Sequence, residues 1–371
     1  MNKIVIASDS FKGTLSSAQI CNLAKEVIPK YFPECQVLAI PAADGGEGTV
    51  DSFLYLGARR ICVNAVGPNF QELECSYARF EDTAVIEMSA AAGLPLADVK
   101  DPEKTTTFGV GQLIKHAIES GCKHILLGLG GSATNDGGCG MAAALGAVFK
   151  DSKGNDFVPT GGTLKNIHEV FLDGINQFLN GIDITAMCDV KNPLYGEKGA
   201  AYVYGPQKGA DEEAVKRLDD GLRHLASVME KTARKDISMI AGTGAAGGMG
   251  AGCMWFLSAV LKPGADAILD AAGFDKALEN ADSVITGEGR LDEQSQNGKL
   301  ISAVCKRAKE YSVPAIAIAG SLRGEVSKDL FKKIYITSDK DAPLEELKKY
   351  AKEAYEDALK QFCEDLKGGT V

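Results

Sequence analysis

HILLGLGGSATNDGGCGMAAAL, residues 124–145, decides how this chain reads. Ile125-Leu126-Leu127 predicts a buried strand, Met141 to Leu145 predicts an alanine-rich helix, and the join between them, Gly128 to Gly140, has few bulky side chains. A strand that runs through glycines into a helix is a βα unit with an anion site at its turn. Glycine lets backbone N–H groups close around a ligand, and the helix start adds unpaired donors and partial positive charge. Gly130, Gly131, Ser132, Ala133, Thr134 and Asn135 are therefore candidate phosphate-binding residues, and Asp136 is a candidate metal carboxylate. The plainer reading is a tight strand-to-helix connection.

Outward from this stretch the rhythm changes. Upstream, Ile61 to Val66, Glu74 to Phe80 and Ala84 to Met88 read as three successive strands, followed by a helix over about 106–120. This βββαβα run sits inside a chain whose two ends alternate strand and helix: strand 3–7, helix 16–30, strand 36–40 and helix 47–57 at one end, and helices near 274–280 and 298–311 with strands 283–286, 315–319 and 334–337 at the other. The pattern predicts a doubly wound domain built from both ends, 1–62 plus 265–371, interrupted by a second α/β domain, 63–264. A final helix, Leu344 to Leu366, places Leu344, Leu347, Ala351, Ala354, Ala358 and Phe362 on one face and predicts a docked surface helix.

Composition narrows the class. The chain has 371 residues, more than one core usually supports, with 45% hydrophobic and 24% charged residues. Its net charge is −10 without a basic block, and Trp255 is its single indole, so nucleic acid is not an expected partner. No apolar run reaches the ~18 residues of a membrane span, and the N-terminus leads straight into a strand, so a cytoplasmic location is expected. The ten cysteines form no CxxC, and the four histidines show no HxxxH or HxH pairing, which argues against zinc and against a histidine triad.

Loops that follow apolar strands carry the chemistry. In open parallel sheets ligands bind beyond the carboxyl ends of strands, so these loops are expected to gather on one edge. Phosphoryl transfer needs a phosphate cradle, carboxylates for a divalent cation, a base near the accepting hydroxyl and cations for the transition state. The carboxylates beside glycines or strand ends are Asp9, Asp44, Glu47, Asp136, Asp189, Glu288 and Asp292; the cations in the same loops are Lys12, Lys191, Arg290 and Lys299. Hard oxygen ligands beside a phosphate point to Mg²⁺. GxxxxGK[ST] is absent, which excludes a P-loop kinase, while a second glycine run, Gly242 to Gly250, contains a GxGxxG without the strand a dinucleotide fingerprint requires. Gly244 and Gly247 of that run are further candidates for nucleotide contact.

Six blocks in order, DSFKG from Asp9, ADGGEGT from Ala43, GLGGSATNDGG from Gly128, CDVKNPLYGEKGA from Cys188, GAAGGMGAG from Gly244 and GEGRLDEQSQNGK from Gly287, resemble the bacterial glycerate kinases of the two-domain, P-loop-less type. The resemblance covers essentially the whole chain. It implies a flavodoxin-like doubly wound parallel sheet domain interrupted by a restriction-endonuclease-like α/β domain. It also implies ATP-dependent phosphorylation of D-glycerate to a phosphoglycerate, usually the 2-phosphate. The resemblance does not itself assign roles; from the residue types in these loops, Gly130 to Asn135 are expected to hold the ATP phosphates, Asp44, Glu47 and Asp136 to organise Mg²⁺, Asp189 to accept the hydroxyl proton with Asp9 second in line, and Lys12 and Arg290 to bind the glycerate carboxylate or the transferring phosphoryl group. The glycine loop is expected to form one wall of a cleft, and a homodimer is compatible with the sequence. Two other readings compete: a galactokinase-type small-molecule kinase, whose phosphate loop GLGGSAT resembles, and a dinucleotide-dependent oxidoreductase built on Gly242 to Gly247.

Overall fold

A computed structural model describes residues 1–11, 13–42, 45–46, 48–292, 300–324, 330–338 and 343–369. In chain order its strands are β1 (Lys3–Ile6), β2 (Gln36–Ala39), β3 (Arg59–Val66), β4 (Glu72–Phe80), β5 (Thr83–Glu87), β6 (His124–Gly128), β7 (Val148–Lys150) and β8 (Glu169–Phe171). They continue with β9 (Asp183–Met187), β10 (Val260–Lys262), β11 (Ser283–Thr286), β12 (Arg290–Leu291), β13 (Ala315–Ala319), β14 (Ser321–Leu322) and β15 (Lys333–Ile336). Two compact units contain them. Unit 1 is Met1–Asp44, Asp51–Leu56 and Ala265–Val371; unit 2 is Gly45–Val50 and Gly57–Gly264.

Unit 1 holds a five-stranded, all-parallel sheet in the order β15-β13-β11-β1-β2. Renumbered within the unit this is 2-1-3-4-5, the flavodoxin-like order. Its strands are apolar on both faces because helices cover both. Alternation along β1 sends Ile4 and Ile6 into one core layer with Ile285, Ile316 and Ile318, and Val5 into the other with Val284, Ala315 and Ala317. Helix Leu344–Lys367 closes the first layer, docking through Tyr355, Ala358, Leu359, Phe362 and Cys363. Its buried stripe lies nearer the C-terminal end than sequence periodicity suggests; Leu344 is 47% exposed.

Unit 2 holds a six-stranded mixed sheet, β10-β9-β6-β5-β4-β3. Strands β3, β4 and β5 form the antiparallel meander expected of the inserted domain, and β5, β6, β9 and β10 run parallel. The unit takes residues 57–62, placed with the first domain by the sequence reading, because β3 is zipped to β4 from Arg59↔Arg79 to Val66↔Glu72. It also takes Gly45–Val50, where the Val50 N–H donates to Glu87 Oε1 at 2.9 Å. The amphipathic helix Glu212–Ala233, capped by Asp211 through the Ala214 N–H, and the small hairpin of β7 and β8 complete it.

Candidate active site

In unit 2 the parallel register brings several loops to one sheet edge. Gly128, the last residue of β6, pairs with Met187, the last of β9, and with Glu87, the last of β5. The glycine loop after β6 and Asp189 after β9 therefore leave the sheet side by side. Gly45 and Gly46 join them from far away in sequence: a Cβ on Gly128 would stand 2.6 Å from the Gly45 carbonyl, and one on Gly130 3.2 Å from the Gly46 Cα. That closeness is why Gly128 and Gly130 carry no side chain; Gly45 has its own reason, a left-handed φ of +84°.

The loop itself is built in two halves. Gly130 and Gly131 are exposed, and Gly131 has φ +74°, a left-handed conformation that a side chain would strain. From Ser132 onward the chain is buried and stitched down: the Ala133 N–H donates to Ala92 O at 2.8 Å, and the Gly131 carbonyl accepts from the Leu94 N–H at 2.8 Å. Thr134 Oγ1 and both polar atoms of the Asn135 side chain are buried without a hydrogen-bond partner among the described residues. Buried polar atoms left in that state carry a desolvation cost and mark a place where a polar ligand or water is accommodated.

Asp136 is engaged by the protein's own donors. Its Oδ2 accepts from the Thr107 N–H (2.8 Å), the Thr107 hydroxyl (2.8 Å) and the Gly140 N–H (3.2 Å), while Oδ1 accepts from the Gly138 N–H (3.1 Å). The residue has no solvent exposure. Burial pushes the carboxyl above the ordinary aspartate range, and the Thr107, Gly138 and Gly140 donors pull it back. A carboxylate with both oxygens engaged inside the protein organises the helix start at Cys139, and a metal role for Asp136 would have to compete with these donors.

The second glycine run is likewise structural. A Cβ on Gly244 would lie 2.1 Å from the Pro193 carbonyl, and one on Gly247 2.0 Å from the Thr134 carbonyl, while the Gly137 N–H donates to Gly247 O at 3.1 Å. Gly250 and Gly252 abut the carbonyls of Gly242 and Gly137 at 2.1 and 2.4 Å in the same way. Gly247 and Gly252 let helix Ala245–Phe256 pack its backbone on the loop after β6, and Gly244 and Gly250 let it approach Pro193 and Gly242, so close packing gives all four a structural role. Gly247→Ala is expected to lower stability by roughly 1–2 kcal/mol for the left-handed backbone and about 1–3 kcal/mol for overpacking. Urea denaturation measures it; a wild-type midpoint would return Gly247 to the ligand side.

One functional candidate escaped sequence reading. Lys208 is 2% exposed, and its ammonium donates to Ser132 Oγ at 2.8 Å and to the Thr134 carbonyl at 2.7 Å. Burial lowers its pKa to about 7, partly offset by the Asp136 carboxylate. It stands in a one-turn 3₁₀ helix, Pro206–Lys208, ended by Gly209 at φ +100°, where a Cβ would meet the Lys100 carbonyl at 2.1 Å. A lysine set between Gly205 and Gly209 was the available signal; it reads as an ordinary solvated turn.

Asp189 is exposed, and its Oδ1 accepts from the Gly264 N–H at 3.1 Å, which orients the carboxylate at the end of β9. Unit 1 gathers its own group at the carboxyl ends of β1 and β11, the point where strand order reverses. The Asp9 N–H donates to Gly287 O and the Gly320 N–H to Glu288 O, at 2.9 and 3.2 Å. Asp9 Oδ1 accepts from the Ser10 N–H, and Arg290, on β12, is exposed. Glu288 Oε1 is buried without a hydrogen-bond partner among the described residues. Lys12, Asp44, Glu47 and Lys299 lie outside the described residues.

Fold and sequence together define a two-unit α/β protein with an exposed glycine-rich loop after β6 and no P-loop sequence. The family model for the glycerate kinase family matches residues 4–367. A glycerate kinase of Bacillus cereus is 43% identical over 97% of both chains, and a glycerate 2-kinase of Escherichia coli is 43% identical over 87% of this chain and 86% of its own. A crystal structure from Salmonella typhimurium LT2, assigned to a glycerate kinase 2, superposes with a TM-score of 0.91 at 39% identity, covering 100% and 99% of the two chains. The chain belongs to the glycerate kinase family. Its activity is phosphoryl transfer to an alcohol group of glycerate.

Proposed function

We propose that the enzyme transfers the γ-phosphoryl group of ATP to the 2-hydroxyl of D-glycerate, with Gly130 to Asn135 as the nucleotide phosphate site. The observation that carries this reading is the split loop: exposed backbone amides at Gly130 and Gly131 above buried, unpartnered Thr134 and Asn135 side-chain atoms. Asp189 takes the proton of the accepting hydroxyl as its oxygen bonds to the γ-phosphorus and the bond to the β-phosphate oxygen breaks, releasing ADP. Arg290 and Lys12 attract the glycerate carboxylate, and Asp9 is the second candidate base. Support for the 2-position comes from the family resemblance and from the name of the Escherichia coli relative.

Where Mg²⁺ accompanies the nucleotide, one or two protein carboxylates would be enough to hold it, and it would neutralise charge on the phosphates. Among the described residues no three His, Cys, Asp or Glu side chains cluster as a metal cage. Asp44 and Glu47 are assigned this role from their glycine-rich block, and Asp136 is not. Mixing the enzyme with ATP, Mg²⁺ and D-glycerate, and following phosphorus NMR, is expected to show 2-phosphoglycerate and ADP in equal amounts. Formation of 3-phosphoglycerate would overturn the regiochemistry, and turnover with GTP but not ATP the donor. No helix among the described residues is long and apolar enough to cross a membrane.

A further inference from the structure

The exposed half of the glycine loop can hold an anion in fixed geometry only if the buried half is fixed as well. Two charged groups do this from inside the protein. Asp136 collects the N–H groups of Thr107, Gly138 and Gly140 on the far side of the loop. Lys208 grips the near side through Ser132 Oγ and the Thr134 carbonyl, directly after the exposed pair.

Accepting from an ammonium turns the Thr134 carbonyl inward, away from the face where an anion would be repelled by it. The Ser132 hydroxyl, with its lone pair committed to Lys208, is left with its own proton to offer elsewhere. When protonated, Lys208 also places a full positive charge under a loop whose exposed backbone supplies only partial ones, and in a water-poor surrounding its field is weakly screened. Lys208 lies 2% exposed behind the loop, so it acts through Ser132 and Thr134 and not by contact.

We propose that Lys208 is a positioning residue of the phosphoryl-transfer site: its buried ammonium shapes and polarises the Gly130–Thr134 loop and thereby sets the affinity of that loop for its anion. The identity of the anion as the nucleotide phosphates rests on the reading above; the role of Lys208 does not.

Steady-state kinetics on Lys208→Met, which keeps the length of the stem and removes the charge, separates the two. The expected result is a folded enzyme whose KM for Mg-ATP rises about tenfold or more while KM for D-glycerate stays within about twofold. A selective rise for glycerate instead would uphold Lys208 and overturn the nucleotide assignment. Unchanged constants for both substrates would overturn the proposal. So would a parallel loss in both KM values and kcat with a lowered melting temperature, the signature of general fold support. If Lys208→Met does not fold, Lys208→Gln, which retains an N–H donor without the charge, is read by the same criteria; failure of both to fold would make Lys208 a core element and overturn the proposal.

Discussion

Asp136→Ala is expected to unfold the enzyme far more readily than any surface change, with a loss of about 3–5 kcal/mol. The substitution strips the partner from three buried backbone N–H groups and the Thr107 hydroxyl, each of which then carries its own desolvation cost. It also removes a carboxylate whose charge favours the protonated state of buried Lys208. Against a total stability typically near 5–15 kcal/mol, such a loss is decisive. Urea denaturation followed by tryptophan fluorescence measures it through Trp255. The same experiment separates the two roles of Asp136: a metal ligand would give a stable protein whose activity returns with excess Mg²⁺, while the structural role gives a fragile protein that Mg²⁺ does not restore.

The second large effect is catalytic. Asp189→Asn is expected to lower kcat by about 10²–10⁴-fold, the usual contribution of a positioned general base. The asparagine keeps a carbonyl oxygen for the Gly264 N–H, so the loop after β9 retains its anchor and the melting temperature should hardly move. Proton acceptance is lost. If the folded variant turned over within about threefold of wild type, base duty would pass to Asp9 and Asp9→Asn would show the deficit.

Much of the unit architecture was legible because its signals are local. Continuous apolar runs such as those of β1, β11 and β13 mark strands covered on both faces, and the three-strand run before β6 marks a change of sheet type. Glycines after strands mark the edge where loops collect, which placed Gly130, Gly131 and Asp189 on one edge of unit 2 and Asp9 and Arg290 at strand ends of unit 1. Helix Ala245–Phe256 shows where local reading stops. Its glycines resemble a cofactor fingerprint, yet Gly247 and Gly252 meet carbonyls of the remote loop after β6, those of Thr134 and Gly137.

By itself, then, the sequence determined the fold class, the family and which loops bear the chemistry, since periodicity, glycine punctuation and motif order are properties of neighbouring residues. Tertiary structure alone decided what individual polar residues do. Asp136 and Lys208 are both charged residues beside glycines; one became a buried hub through Thr107, 29 positions away, and the other a support for Ser132, 76 positions away. Whether a charge faces water, a ligand or a backbone depends on which distant segment folds over it, and burial, unlike periodicity, leaves no mark on the residues next in the chain.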